Sequence, residues 1–198
     1  MSAMEIRVAT PEDLDRLTET LAGAFASDPL WSWAFPELDS LAVWWRFYIN
    51  SALRYPWVRI AGDFAAVASW IPPGGVELTE DEEATIEGLL DELVGPRAPQ
   101  VLELLERFEQ GHPTGRDHYY LSLLGTHPEH RGKGLGMALL AQNLELIDEQ
   151  GACAYLESSN PANDPRYERH GFRRIGSFDR PDGELTVSRM WRDPAPGA

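Results

Sequence analysis

The chain has 198 residues, 43% of them hydrophobic, and a formal net charge of −15. That length suits one domain with a sizeable core, no apolar run approaches the roughly eighteen residues of a membrane span, and the acidic balance repels phosphate backbones and so argues against a nucleic-acid partner. One cysteine, Cys153, makes neither an internal disulfide nor a zinc cluster, which points to a reducing cytoplasm, and the five histidines show no metal-ligand spacing. Met1-Ser2-Ala3-Met4-Glu5 has no basic segment followed by an apolar run, so no signal peptide is expected.

Residues 5–9 read as a short first strand. Thr10-Pro11-Glu12-Asp13 then opens a helix: Thr10 caps it, Pro11 suits the first turn, and the two acids face the positive dipole end. Leu14, Leu17, Leu21 and Phe25 recur at helical spacing as its buried stripe, and Ser27-Asp28-Pro29 ends it. A second helix is predicted over 38–55, with Leu41, Trp44, Trp45, Tyr48 and Tyr55 on one face. Residues 57–61 and 64–71 read as strands joined by Gly62-Asp63, a hairpin signal. One acidic helix is expected over 79–94 behind Thr79, and another over 98–110; residues 111–115 are loop.

The second half begins with a strand over 118–126, in which Gly125 either allows a bulge or simply marks the strand end. A turn rich in Pro, Gly and basic residues follows over 127–133. A helix over 135–150, ended by Gly151, leads to a strand over 152–158. Strand–loop–helix–strand predicts that these two strands are parallel. A short helix over 163–170 and a closing hairpin of 172–176 with 184–191 complete the chain.

The segment Arg131-Gly132-Lys133-Gly134-Leu135-Gly136 holds the only lysine of the chain. It lies between a strand and a helix, where glycines permit close approach and the first helical N–H groups lack partners, so it can cradle a diphosphate. It is not a Walker A loop, which needs GxxxxGK and then Ser or Thr. A dinucleotide fingerprint needs a third glycine where Met137 or Leu139 stands. What remains is an Arg/Gln-x-x-Gly-x-Gly/Ala diphosphate loop, or a glycine turn that binds nothing.

The flanks bear on that choice. Tyr119-Tyr120-Leu121-Ser122-Leu123-Leu124-Gly125-Thr126-His127-Pro128-Glu129-His130 precedes the loop. Leu156-Glu157-Ser158-Ser159-Asn160-Pro161-Ala162-Asn163-Asp164-Pro165-Arg166-Tyr167-Glu168-Arg169-His170-Gly171-Phe172 follows it. Together they resemble the GNAT superfamily of N-acetyltransferases, and most of all the branch containing puromycin N-acetyltransferase. The likeness is continuous over 118–176 and weaker but collinear through 6–10 and 22–26.

The resemblance implies a mixed α/β fold, with a splayed central sheet flanked by helices, in one domain over 1–198. Residues 1–117 would supply mainly acceptor-side elements and 118–198 the acetyl-CoA-binding core. Acetyl-CoA is the implied co-substrate, with no metal. Its diphosphate would rest on the N–H groups of Arg131, Gly132, Lys133, Gly134, Leu135, Gly136 and Met137. Its pantetheine arm would lie between the two parallel strands, against Leu124 and Thr126, by strand addition. Asn163 would bond that arm or cap a helix. Tyr167 matches the family's Tyr-Glu-x-x-Gly-Phe ending and would protonate the leaving thiolate, or merely pack on the cofactor. Glu157, at the strand end where α/β sheets place their sites, is the first candidate base and His118 the second. Backbone near Leu124 would support the thioester oxygen. Cys153 reads as a small buried thiol, so direct transfer in a ternary complex is expected.

On the acceptor side, Asp28, Trp31, Trp33 and Phe35 are the candidate pocket residues, and the remaining aromatics of 31–57 read as core. Asp28 binds a cationic amine or caps a turn. Ser27-Asp28-Pro29 departs from the Asp-Tyr-Pro of the puromycin enzyme. The expected acceptor is therefore a primary amine on a small molecule, an antibiotic or a metabolite. Two alternatives stand beside it: a protein lysine or N-terminal acetyltransferase, which would need an open groove, and a non-catalytic acyl-CoA sensor. A cytoplasmic monomer or homodimer is expected, with no nucleic-acid or membrane partner.

Overall fold

Seven strands pair into one sheet in a computed structural model, which describes residues 5–195. Most of the segment read for a signal peptide lies outside the described residues. The strands are β1 (Ile6–Val8), β2 (Val58–Ala61), β3 (Ala66–Ile71), β4 (His118–Thr126), β5 (Cys153–Ser158), β6 (Arg173–Asp179) and β7 (Thr186–Arg192). Their order is β1-β2-β3-β4-β5-β7-β6. The β4–β5 pair is parallel, as the βαβ pattern predicts, and every other neighbouring pair is antiparallel.

The helices are α1 (Leu14–Phe25), α2 (Trp31–Ala34), α3 (Leu38–Ala52), α4 (Glu80–Glu83), α5 (Ile86–Val94), α6 (Ala98–Gly111), α7 (Leu135–Asp148) and α8 (Asp164–Glu168). The expected single helix over 79–94 is broken. Thr79 and Glu82 form a capping box, and the Thr85 hydroxyl then bonds back to the Glu82 carbonyl at 2.7 Å. That side chain competes with the helical ladder, so α4 stops after one turn. Glu82 is also pinned to α3 by the Ser51 hydroxyl at 2.6 Å. The sequence reading missed α2, whose first N–H groups are capped by Asp28: Oδ1 accepts from Leu30 N at 3.0 Å and Trp31 N at 3.1 Å.

Helices cover both sheet faces. Leu17, Leu21, Trp44, Trp45, Ile49, Leu90, Val101 and Leu104 pack with Val67, Leu123 and Val187 on one side. Leu139, Leu140, Leu144 and Ile147 of α7 pack with Trp70, Tyr119, Leu121, Ala154 and Leu156 on the other. The strand β4 changes phase part-way. Trp70 pairs with Leu121 and Ser69 with Leu123, which leaves Ser122 as an inserted residue. Tyr119 and Leu121 therefore face α7, yet Leu123 turns to the α1 side and Leu124 to the α7 side. The bulge is at Ser122 and not at Gly125. Gly125 instead allows close packing of α1, since a Cβ there would sit 2.9 Å from Ala24 Cβ.

One buried ion pair ties β7, the strand next to the far edge of the sheet, to α7. Arg192 on β7 donates from both terminal nitrogens to Asp148, each at 2.6 Å, and both side chains are about nine-tenths buried. Its Nε donates to the His170 carbonyl at 2.9 Å. Removing one partner strands a buried charge, so Asp148→Ala should lower unfolding free energy by about 3 kcal/mol. Urea denaturation checks this; a loss under about 1 kcal/mol, the scale of an exposed pair, contradicts it.

Candidate active site

The parallel pairing of β4 with β5 runs only from His118↔Cys153 to Leu121↔Leu156. Beyond it β4 stays paired with β3 and β5 with β7, so the two strands part at the Ser122 bulge. Their separation opens a cleft of about 1000 Å³, lined by Leu121–Leu124, by 156–159, and by Asn163 and Tyr167 on the α8 side. The segment 72–78, α5 and α6 close its other walls.

Past the end of β4 the chain turns through a 3-10 segment, Pro128–His130, into the glycine loop. Gly132 and Gly134 adopt φ of +77° and +74°, conformations that side chains disfavour. The first helical bond is Ala138 N to Gly134 O at 3.0 Å. Among the described residues, the N–H groups of 132–137 donate to no protein group. A set of free amides at a helix start suits an anion, so this loop fits the diphosphate that the resemblance implies. Gly136 has a packing role as well: a Cβ there would lie 2.5 Å from Thr126 Oγ1. The Arg131 side chain does not point toward these amides. It donates to the carbonyls of Gly23 at 3.1 Å and Ala24 at 2.8 Å, closing the end of α1. Lys133 Nζ lies 3.3 Å from the Glu129 carbonyl.

Glu157 sits at the parting of the strands. Its side chain is 2% exposed, although the residue as a whole is partly exposed, so its main chain faces the opened edge. Neither carboxylate oxygen has a hydrogen-bond partner among the described residues. Burial pushes its pKa up to about 8; the nearby phenols of Tyr155 and Tyr120 oppose that rise, Glu77 adds to it, and the Arg189 guanidinium opposes it. Tyr167 lines the same cleft and packs at 6.2 Å from the Phe172 ring. Burial, then Asp28, pushes its phenol up to about 12. Asn163 lines the cleft and makes no cap bond; Asn160 supplies the local cap, accepting from Ala162 N at 3.1 Å.

Of the predicted residues, Asp28, Trp31, His118, Leu124, Glu157, Asn163 and Tyr167 meet at the cleft. Asp28 both lines the cleft and caps, its Oδ2 accepting from Ser159 Oγ at 2.8 Å. Thr126 and the loop 131–137 lie beyond it along the course of β4. Two expectations fail. Phe35 is 1% exposed and stacks on Trp44 at 4.9 Å, because α2 turns it inward to the core. Trp33 lies between the guanidinium groups of Arg97 and Arg180, at 5.3 and 5.1 Å, and does not line the cleft. Cys153 is buried, and burial raises its thiol pKa.

Glu77 and His112 are among the cleft residues that went unread in the sequence. Glu77 follows Pro72-Pro73-Gly74-Gly75, accepts the Ser122 hydroxyl, and is pushed by burial up to about 7. His112, taken as plain loop, rests against His118 and Tyr120 with ring centroids at 5.1 and 4.9 Å. No local pattern marks either residue, since both gain their neighbours only when α6 and the 72–78 segment fold over the strand ends.

Residues 104–174, from α6 to the start of β6, match the family model of the acetyltransferase (GNAT) domain. The sheet and helices superpose on solved acetyltransferases over nearly the whole chain. This is the GNAT acetyltransferase fold. One similar structure is the Corynebacterium glutamicum protein described as histone acetyltransferase HPA2 and related acetyltransferase, with TM-score 0.69, 22% identity, and 98% of this chain and 99% of that one covered. Another is arylalkylamine N-acetyltransferase 2 of Aedes aegypti, with TM-score 0.70, 15% identity, and coverage of 98% and 100%. A third is the polyamine N-acetyltransferase of Drosophila melanogaster, with TM-score 0.67, 16% identity, and coverage of 96% and 99%.

The contact at Gly136 generates a stability test of the GNAT loop. Gly136→Ala forces a methyl into Thr126 Oγ1 and should cost roughly 1–3 kcal/mol by overpacking. Adding Thr126→Ala should restore most of the loss in thermal melts. A double variant no more stable than Gly136→Ala would show that the helix start is held some other way.

Proposed function

We propose that the protein is an acetyl-CoA-dependent N-acetyltransferase that acetylates a primary amine on a small molecule, by direct attack within a ternary complex. The observation that carries this reading is the juxtaposition at one strand parting: free helix-start amides beyond β4, a cleft of about 1000 Å³, and Glu157 and Tyr167 on its walls. When bound, acetyl-CoA supplies an acetyl thioester. The loop amides of 132–137 hold its diphosphate, and the edge of β4 around Leu124, freed by the parting, takes its pantetheine amides. Asn163 adds a side-chain bond to that arm. In this division 118–198 bind the cofactor, while Asp28 and Trp31 from 1–117 help to shape the acceptor pocket.

Glu157 receives a proton from the incoming ammonium so that a neutral amine attacks. Its raised pKa matches that task, since a buried base titrating near 8 exchanges protons readily with an amine. Tyr167, kept as a phenol by its own raised pKa, donates to the departing thiolate. The arylalkylamine and polyamine enzymes among the similar folds act in their names on small amines, which favours a small acceptor over a peptide. An amine-bearing antibiotic, puromycin among them, belongs to the same chemical class. A single buried thiol is consistent with a cytoplasmic enzyme.

A thiol-release assay with acetyl-CoA against arylalkylamines, polyamines, aminoglycosides, puromycin and lysine peptides tests the proposal. Release with a small amine supports it, and release with peptides alone assigns a protein acceptor instead. Tyr167→Phe should slow turnover by roughly a hundredfold, the lower range for a positioned acid, with acetyl-CoA affinity unchanged. Unchanged turnover removes Tyr167 from the chemistry. As Glu157 works in its ionised form, kcat/KM should fall as pH drops through about 8. That limb should vanish in Glu157→Gln; its survival there assigns the base elsewhere.

A further inference from the structure

We infer that His112 relays the proton of Glu157 to solvent by way of His118, an inference that rests on the acetyl-transfer reading above. A carboxyl whose side chain is 2% exposed must lose each captured proton before it can act again. The turn after α6 sets His112 beside it, with Nδ1 3.9 Å from Glu157 Oε1, so the first transfer requires a rotation of the carboxylate that brings the pair within hydrogen-bond reach. From there the contacts run outward. His112 Nε2 lies 3.1 Å from His118 Nε2, and His118 Nδ1 lies 2.8 Å from the Arg116 carbonyl in an exposed contact.

These distances fix where the protons sit. A carbonyl only accepts, so His118 Nδ1 carries a hydrogen. Neutral His118 then has a lone pair on Nε2, which accepts the Nε2–H of His112. That leaves the lone pair of His112 Nδ1 turned toward Glu157. The transfer balances. The Glu157 proton passes to His112 Nδ1, the Nε2 proton of His112 passes to His118 Nε2, and His118 yields its Nδ1 proton to water. One proton leaves the carboxyl and one enters solvent. Both imidazoles end neutral in the opposite tautomer, and proton exchange with water, favoured because the Arg116 carbonyl again takes an Nδ1–H from His118, resets both before the next turnover.

The surroundings keep the chain in this order. Burial and His118 hold His112 near 4, so it carries a proton only in passing. The groups facing Glu157 are Tyr120 from β4, Tyr155 from β5, Arg189 from β7, and Glu77. Burial drives both phenols well above their usual range, so they remain protonated and do not compete as acceptors. His112 is thus a residue that acts through Glu157.

The test compares wild type with His112→Ala, which leaves room for an imidazole, and His112→Gln, which keeps polarity but relays no proton. Turnover is read by thiol release at saturating acetyl-CoA and amine in a bulky buffer, after calorimetry has measured acetyl-CoA affinity. Both variants should bind acetyl-CoA as wild type does and lose roughly a hundredfold in turnover. Free imidazole should restore His112→Ala several-fold, leave wild type unaffected, and shift the low-pH limb back toward wild type. Turnover of both variants within about twofold of wild type, or a loss that imidazole does not relieve, overturns the relay. A wild-type chain that releases thiol with no amine defeats the transfer reading itself, a distinct outcome.

Discussion

The parting of β4 from β5 after Leu121 and Leu156 is the constraint from which the site follows. Two parallel strands that stay paired would satisfy each other's amides and leave no slot. Here the extra residue at Ser122 changes the phase of β4, so its end pairs with β3 alone. Free backbone edges are costly unless something pairs with them. The fold keeps this edge inside a cleft, where an extended molecule bearing amides can bond to it. The same bulge turns Leu124 and Thr126 toward α7, which sets the helix start against the strand end.

Close packing and electrostatics then divide the work. Gly125 and Gly136 are small because α1 and Thr126 press on them, whereas Gly132 and Gly134 are glycine because the turn needs positive φ. On the other side of the parting, low polarity keeps Glu157 and Tyr167 protonated more readily than in water. In the proposed reaction these two groups would meet the ammonium and the departing thiolate. The net charge of −15 would also favour the approach of the cationic amine proposed as acceptor.

Much of this was legible in the sequence where the causes are local. The strand 118–126 is found with the predicted bounds, and α7 begins at Leu135 as expected, because the glycine loop and apolar runs delimit them. Glu157, Tyr167, Asn163 and His118 were placed together by motif and strand position, and the cleft does unite them. Errors arose where distant elements decide. The break after α4 depends on Thr85 and on the pinning of Glu82 to α3. The helix α2 depends on Asp28 as a cap, and it turns Phe35 into the core and Trp33 away from the cleft. His112 and Glu77 carry no local signature, since their surroundings come from segments far along the chain.

The claim that the amides of 132–137 grip a diphosphate is tested most directly by calorimetry of the wild-type chain with acetyl-CoA and with S-acetylpantetheine, which lacks the diphosphate. The account predicts that acetyl-CoA binds at one site and at least roughly a hundredfold more tightly, the contribution of about two charge-assisted hydrogen bonds. Equal affinity for the two, or no binding of acetyl-CoA to folded protein, would contradict it.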